Sequence, residues 1–231
     1  MKNIYYVLML LAVFALGSCE MDNYDEPESF FTGRITYNGN PIGVDQRQVR
    51  FQLWEPGFGV LTPINVPVDQ DGSFSARLFD GDYKLKFIDG QGPFRTIVQN
   101  EQQLDTLFVN LRGDMSLDVE VMPYYIFNNI QISNSGTTVS ASCGLEQIIT
   151  GENAKNVERV TLYINKTLFV GDGPAYSIAR ADADISDLNN ISTSLEIPEL
   201  SPSQNYVYAR IGVKMVDVEY LLFSPVEKIS F

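Results

Sequence analysis

Apolar and polar side chains alternate through much of this chain. Val49-Arg-Phe51-Gln-Leu53, Tyr83-Lys-Leu85-Lys-Phe87, Leu117-Asp-Val119-Glu-Val121 and Tyr206-Val-Tyr208-Ala-Arg-Ile211 carry the pattern most clearly. A period of two sends successive side chains to opposite faces of an extended strand, so each run predicts a strand with one buried face. Such runs recur about every 8–12 residues with Gly, Pro, Asn or Asp between them, which is the spacing of an antiparallel sandwich. Only short stretches near Ser177–Leu188 look helical. The expected fold class is all-β, with two antiparallel β-sandwich domains in tandem.

The first thirty residues break the alternation. After Lys2, the stretch Ile4–Leu16 runs for 13 apolar or aromatic residues without a charge. That length suits the core of an export signal and falls short of the roughly 20 residues of a membrane-spanning helix. It ends in Leu16-Gly17-Ser18-Cys19, which resembles the lipobox of bacterial lipoproteins. The resemblance implies cleavage after residue 18, acylation of Cys19 and firm anchoring by more than one acyl chain. Glu20, Asp22, Asp25, Glu26 and Glu28 follow, five carboxylates in nine residues, too polar to build a core. This 19–29 segment reads as a solvated tether. It also resembles the acidic export signal of surface-exposed Bacteroidetes lipoproteins, which implies the outer face of the outer membrane.

The remaining residues divide into segments 30–121 and 122–231, with Met122-Pro123 at the expected boundary. In the first, Thr32-Gly33-Arg34-Ile35 leads to Gly39-Asn40-Pro41, then Asp69-Gln-Asp71-Gly72-Ser73-Phe74, then Gly81-Asp82-Tyr83-Lys-Leu85. This order resembles the carboxypeptidase-regulatory-like, transthyretin-like sandwich. Asp71-Gly72 supplies the positive φ of a tight hairpin. Gly72 stands at position four from Asp69, where a calcium loop of the EF-hand kind needs its glycine at six. In the second segment, Leu200-Ser-Pro202-Ser-Gln-Asn-Tyr206 resembles the tyrosine corner of fibronectin type III domains. That resemblance implies a strand opening at Tyr206, whose hydroxyl bonds back to upstream backbone. Leu162 and Ile164 would fill the core position usually held by tryptophan, and a last strand would span 221–229. Lipobox, acidic tether and this domain order together resemble a Bacteroidetes surface lipoprotein family of unknown function. Its members are encoded beside starch-utilisation-type transporters, so an outer-membrane transporter complex is an implied partner.

Composition narrows the function classes. Removing residues 1–18 from 231 leaves 213 and one lysine fewer, moving the net charge from −13 to −14. With no Lys/Arg cluster to offset it, this balance argues against nucleic-acid or anionic-lipid partners. The chain has no histidine, which excludes Ser-His-Asp and Cys-His catalysis and imidazole metal sites. With Cys19 acylated, Cys143 stands alone, and its period-two neighbours Val139, Ala141 and Leu145 predict a core thiol. No metal or cofactor is expected. Asp80 and Asp82 flank Gly81 in a turn, where carboxylates are solvated rather than tuned for acid–base work. The chain is expected not to be an enzyme.

Glycan binding remains as the leading expectation, because β-sandwiches bind sugars by stacking pyranose rings on exposed aromatics. Trp54 falls outside the inward phase of 49, 51 and 53, Phe58 sits in the Pro/Gly-rich loop after it, and Phe94 ends Gly90-Gln-Gly92-Pro93. These three are the candidate binding residues. Against this, Trp54 would cover the sandwich end or pack on the second domain, and Tyr124 and Tyr125 would pack between domains. The alternative function is a structural spacer or protein-interaction subunit of an outer-membrane complex with no glycan affinity. Asp105-Thr106-Leu107 also matches the short O-glycosylation motif of Bacteroidetes export.

Overall fold

The structure is a computed structural model that describes residues 25–56, 62–97 and 105–231. The expected leader, Cys19, most of the expected tether and Phe58 lie outside the described residues.

The first half contains β1 (Ser29–Tyr37), β2 (Asn40–Pro41), β3 (Gly43–Val44), β4 (Arg50–Trp54), β5 (Ile64–Pro67), β6 (Ser73–Leu78), β7 (Gly81–Phe87), β8 (Phe94–Thr96), β9 (Thr106–Leu111), β10 (Met115–Ser116) and β11 (Val119–Pro123). The second contains β12 (Tyr125–Ser135), β13 (Thr138–Gln147), β14 (Val157–Asn165), β15 (Ala179–Asp182), β16 (Ile191–Glu196), β17 (Tyr206–Met215), β18 (Leu222–Phe223) and β19 (Glu227–Ser230). The molecule is all-β, as the alternation requires.

In the first half, a sheet ordered β10-β1-β11-β8, with β2 and β6 also on β1, faces a second ordered β5-β4-β7-β9. Between them, rings pack edge to face. Phe51 meets Phe74 at 4.9 Å and Phe87 at 5.8 Å, and Phe87 meets Phe94 at 5.0 Å between centroids. Such tilted pairs add to the stabilisation from buried area. Phe94, expected on an exposed binding loop, is therefore a core residue, only 6% exposed. Pro93 ends the loop one residue earlier than the composition suggests, and Phe94 opens β8.

The pairing is not wholly antiparallel. β1 runs parallel to β10 at Phe31–Thr32 and parallel to β11 at Ile35–Thr36. Gly33 sits where the partner changes, and a Cβ there would lie 1.9 Å from the Leu117 carbonyl oxygen. The glycine of the expected Gly-x-Ile strand is thus required by a close backbone approach. At the neighbouring turn, Asn38 and Gly39 have φ of 50° and 75°, the pair of positive values of a type I′ hairpin. In the later hairpin Gly72 alone has positive φ, and the Asp71 carboxylate accepts bonds from Ser73 N and Oγ.

In the second half, β12-β13-β16 faces β15-β14-β17-β18, with β19 on β17. Leu162 and Ile164 are fully buried, and Cys143 is buried with its thiol pushed up to about 11 by desolvation. Three expectations need correction. The helix-like stretch 177–188 contains β15, which pairs with β14 because Asp182 accepts a bond from Thr161 Oγ1 at 2.6 Å. Tyr206 does open β17, with its ring under Lys228 Nζ at 4.1 Å and against Tyr208, and no bond from its hydroxyl to upstream backbone is found among the described residues. The last strand is split into β18 and β19, with Pro225 between them.

The halves share a seam. One residue, Tyr124, separates β11 from β12, and β3 of the first half pairs with β18 of the second. Glu219 N and Tyr220 N donate to the carbonyls of Gly90 and Gln91. Tyr124 and Tyr125 are buried, and one apolar cluster runs from Phe31 through both to Ile229.

Candidate functional site

Two surfaces gather aromatic and polar side chains. The first is the outer face of β5-β4-β7-β9. Because Phe51 and Leu53 are buried beneath the sheet, Gln52 and Trp54 point outward. Trp54 is opposite Lys84 on β7, and Lys84 is opposite Phe108 on β9. The three therefore form one row, with Trp54 and Phe108 two strand spacings apart, about 9–10 Å. Phe108 is 55% exposed, and Lys84 Nζ stands 5.8 Å from its ring centroid. Trp54 is half-buried with its Nε1 donating to Gln52 Oε1 at 3.2 Å.

The next row across the sheet is Asn65, Gln52, Lys86 and Thr106. Asp105 lies 2.6 Å from Lys86 Nζ and holds that ammonium above its ordinary value. On the other side, Asp82 accepts from Asn110 Nδ2 and, at 3.1 Å, from Arg112 Nη2. Apolar rings edged by amides and charged groups can stack the C–H face of a sugar while exchanging hydrogen bonds with its hydroxyls.

The second surface is a cleft of about 1150 Å³ along the seam. Its walls are unlike. Arg34, Asn38, Asn40, Arg47, Asp69 and Asp71 line it from the first half, whereas Phe127, Ile130, Leu168, Phe169, Pro225 and Val226 line it from the second. Arg47 and Asp69 approach to 3.6 Å, and Gln46 Nε2 donates to the same carboxylate. Phe169 and Leu168 are about half exposed, yet their loop is tied down. Gln70 Nε2 donates to Leu168 O, Val170 N donates to Gln70 Oε1, and Asn165 Nδ2 donates to Phe169 O at 2.6 Å.

Arg210 closes the inner end. It is fully buried, with Nη2 donating to Val44 O at 2.6 Å and its guanidinium 3.7 Å from the Phe223 ring centroid. Its Nε lacks a partner among the described residues. Burial pushes the guanidinium down to about 9, against the opposite pull of Asp45. Asp45 is itself buried, and desolvation raises its carboxyl even though Leu221 N donates to it. Among the described residues, no group of three or more His, Cys, Asp or Glu side chains is placed to hold a metal ion.

Of the three aromatics expected from the sequence, Trp54 stands on the sheet face, Phe94 is in the core and Phe58 is outside the described residues. Phe108 was legible: Leu107, Val109 and Leu111 fix the inward phase of its strand, which turns 108 outward. Nothing local marks Phe169, Gln70 or Arg210, because their roles depend on contacts between residues 100 to 166 positions apart.

This is an all-β protein of two sandwich domains joined by a shared sheet, with one aromatic sheet face and one interdomain cleft. The chain belongs to the DUF3823 family. The family model described as a protein of unknown function (DUF3823), N-terminal domain, matches residues 29–122, and that of the DUF3823 C-terminal domain of unknown function matches residues 125–228. A DUF3823 family protein from Parabacteroides merdae is 32% identical, covering 89% of this chain and all of that one with a TM-score of 0.75. Another from Bacteroides ovatus is 26% identical, covering 88% of this chain and 99% of that one with a TM-score of 0.73. A third structure, from Bacteroides uniformis, is described as a "putative carbohydrate binding protein". It is 17% identical, covers 89% of this chain and all of that one, and has a TM-score of 0.68. No curated protein matches the chain.

Proposed function

We propose that this protein is a non-catalytic glycan-binding module, anchored through acylated Cys19 at the outer membrane and facing the cell exterior. There it would serve a polysaccharide-utilisation system beside an outer-membrane transporter. The carrying observation is the row Trp54, Lys84, Phe108 on one outward sheet face. Two rings about 10 Å apart match the span of a sugar chain passing over the sheet rather than a single sugar in a pocket. The carbohydrate-binding description of the Bacteroides uniformis structure points the same way, although at 17% identity the likeness shows the fold alone. The regulatory-like and fibronectin-like character of the two domains, and their place beside transporter genes, belong to the same proposal. No described carboxylate pairs a raised affinity for its proton with an open cleft position: Asp45 is raised, but it is held inside the seam by Leu221 N.

Affinity electrophoresis tests the reading. Residues 20–231, as wild type, Trp54→Ala and Phe108→Ala, are run through gels containing plant, host and microbial polysaccharides. Retardation of the wild type that both variants lose is the expected result. Mobility unchanged in every gel would overturn the reading and leave the spacer or protein-interaction role, for which co-purification with an outer-membrane complex is the next measurement.

A further inference from the structure

We infer that the interdomain cleft is a second glycan site, separate from the sheet face, built for a short stretch of an uncharged oligosaccharide. The inference rests on the glycan-binding reading above and adds a location and a ligand class to it.

The volume, about 1150 Å³, lies just above the usual range of small-ligand cavities, so it admits a few sugar rings rather than one. Its two walls match the two sides of a pyranose. Phe127 and Phe169 line it from the second half and can take the C–H face, while Arg34, Arg47, Asp69 and Asp71 line it from the first and can take the hydroxyls. A hydroxyl both donates and accepts, and an Arg–carboxylate pair supplies one acceptor and one donor side by side.

Charge decides between sugar classes. Arg47 is matched by Asp69 at 3.6 Å, and Arg34 shares the cleft with the Asp71 carboxylate, which, against desolvation, the bonds from Ser73 and, to a lesser extent, the Arg34 charge hold below its ordinary value. Two cations against two anions leave no spare positive charge for a uronate, sulfate or phosphate. Arg210, the remaining cation, is fully buried, bonded to Val44 O, stacked on the Phe223 ring and countered at longer range by buried Asp45, with Nε alone unpartnered among the described residues. A neutral chain is therefore favoured over an acidic one.

The cleft is also assembled in advance. Gln70 from the first half bonds both sides of the Phe169 loop in the second. Arg47 is held at φ 57°, a left-handed conformation that glycine would adopt more readily. Its side chain reaches the cleft from a strained backbone position, which is where a functional group rather than a fold-forming one is placed.

The test is isothermal titration calorimetry of residues 20–231 with neutral hexasaccharides of gluco-, xylo-, manno- and galacto-configuration, and with a uronic-acid hexasaccharide. Phe169→Ala removes the exposed ring. Arg47→Gly removes the guanidinium while relaxing the backbone, so its fold survives. Trp54→Ala removes the sheet-face site, and both cleft substitutions are also made on that background so that the binding read is the cleft's own. We expect at least one neutral hexasaccharide still to bind Trp54→Ala, and Phe169→Ala or Arg47→Gly on the Trp54→Ala background to lose at least about tenfold of that remaining affinity. We expect the uronic-acid hexasaccharide to bind at least tenfold more weakly than the best neutral one. Cleft variants that bind as Trp54→Ala does, equal binding of the uronic-acid chain, or no hexasaccharide binding to Trp54→Ala would each overturn the inference. In every one of these cases a Trp54-dependent retardation by polysaccharide would leave the sheet-face function standing. Absence of that retardation as well would remove both.

Discussion

Arg210 and Asp45 are the two buried charged groups that tie the seam, and each depends on the other. Their carboxylate and guanidinium are not in direct ion-pair contact; the attraction acts through a low-dielectric interior. Removing one partner leaves the other as an uncompensated buried charge, which costs far more than a surface ion pair is worth. Arg210→Ala should destabilise the protein by about 3–5 kcal/mol in urea unfolding. A loss under about 1 kcal/mol would mean that water compensates Asp45.

Cys143 gives a pH-dependent counterpart. Its thiol rises from 9.0 to about 11 in the folded protein, so the folded state keeps a proton that the unfolded chain gives up. Its contribution is fully present below about pH 9 and lost as pH rises through 11. Relative to Cys143→Ala, the wild type should lose on the order of 2 kcal/mol of stability across that window. Parallel stability curves for the two proteins between pH 9 and 11 would contradict this. The burial of Cys143 was readable from period-two neighbours alone. The Arg210–Asp45 pair was not, since 165 positions separate the two residues and neither sits in a pattern that flags burial.

At the scale of elements, Gly33 shows how one residue sets a sheet. β1 takes β10 as its parallel partner before Gly33 and β11 after it, and Leu117, which joins the two partners, presses its carbonyl on the glycine. A glycine in a strand is usually improved by alanine, but here the new Cβ has no room. Gly33→Ala should destabilise by about 1–3 kcal/mol, measured by chemical denaturation. An unchanged midpoint would show that Leu117 can retreat freely. The alternation at 49–53, 83–87 and 117–121 located β4, β7 and β11 because each buries one clean face, and that at 206–211 located β17, which is buried on both faces from Ala209 to Val213. It did not reveal that β1 pairs in parallel, because pairing direction leaves no mark on period. The stretch 177–188 misled for a related reason. β15 is only four residues long, none of them buried, and is joined to β14 at the edge through Asp182, a polar anchor that hydrophobic spacing does not register. Phe94 was misplaced by its loop-like neighbours Gly90 to Pro93, although its ring completes the aromatic stack that begins at Phe31.

For the whole molecule, the shared sheet, the continuous apolar cluster and the single residue between β11 and β12 couple the two domains. The protein should therefore unfold in one calorimetric transition whose van't Hoff and calorimetric enthalpies agree. Two resolved peaks would show that the domains melt apart. A bound glycan should raise that one transition in proportion to the logarithm of its concentration above Kd. The two-domain architecture was readable from turns and strand spacing. The cleft was not, because it exists only where the domains meet, and each of its walls looks like ordinary surface in its own half of the chain.

The joint between β3 and β18 also bears on descent. A lone first domain would expose the unpaired edge of Gly43–Val44, and a lone second domain would carry Arg210 stripped of Val44 and Asp45. Neither half is a cassette that recombination could move on its own without exposing a strand edge or orphaning a charge. The two halves are bound to a common inheritance, and the relatives from Parabacteroides merdae and Bacteroides ovatus, matched along essentially their whole length, carry both.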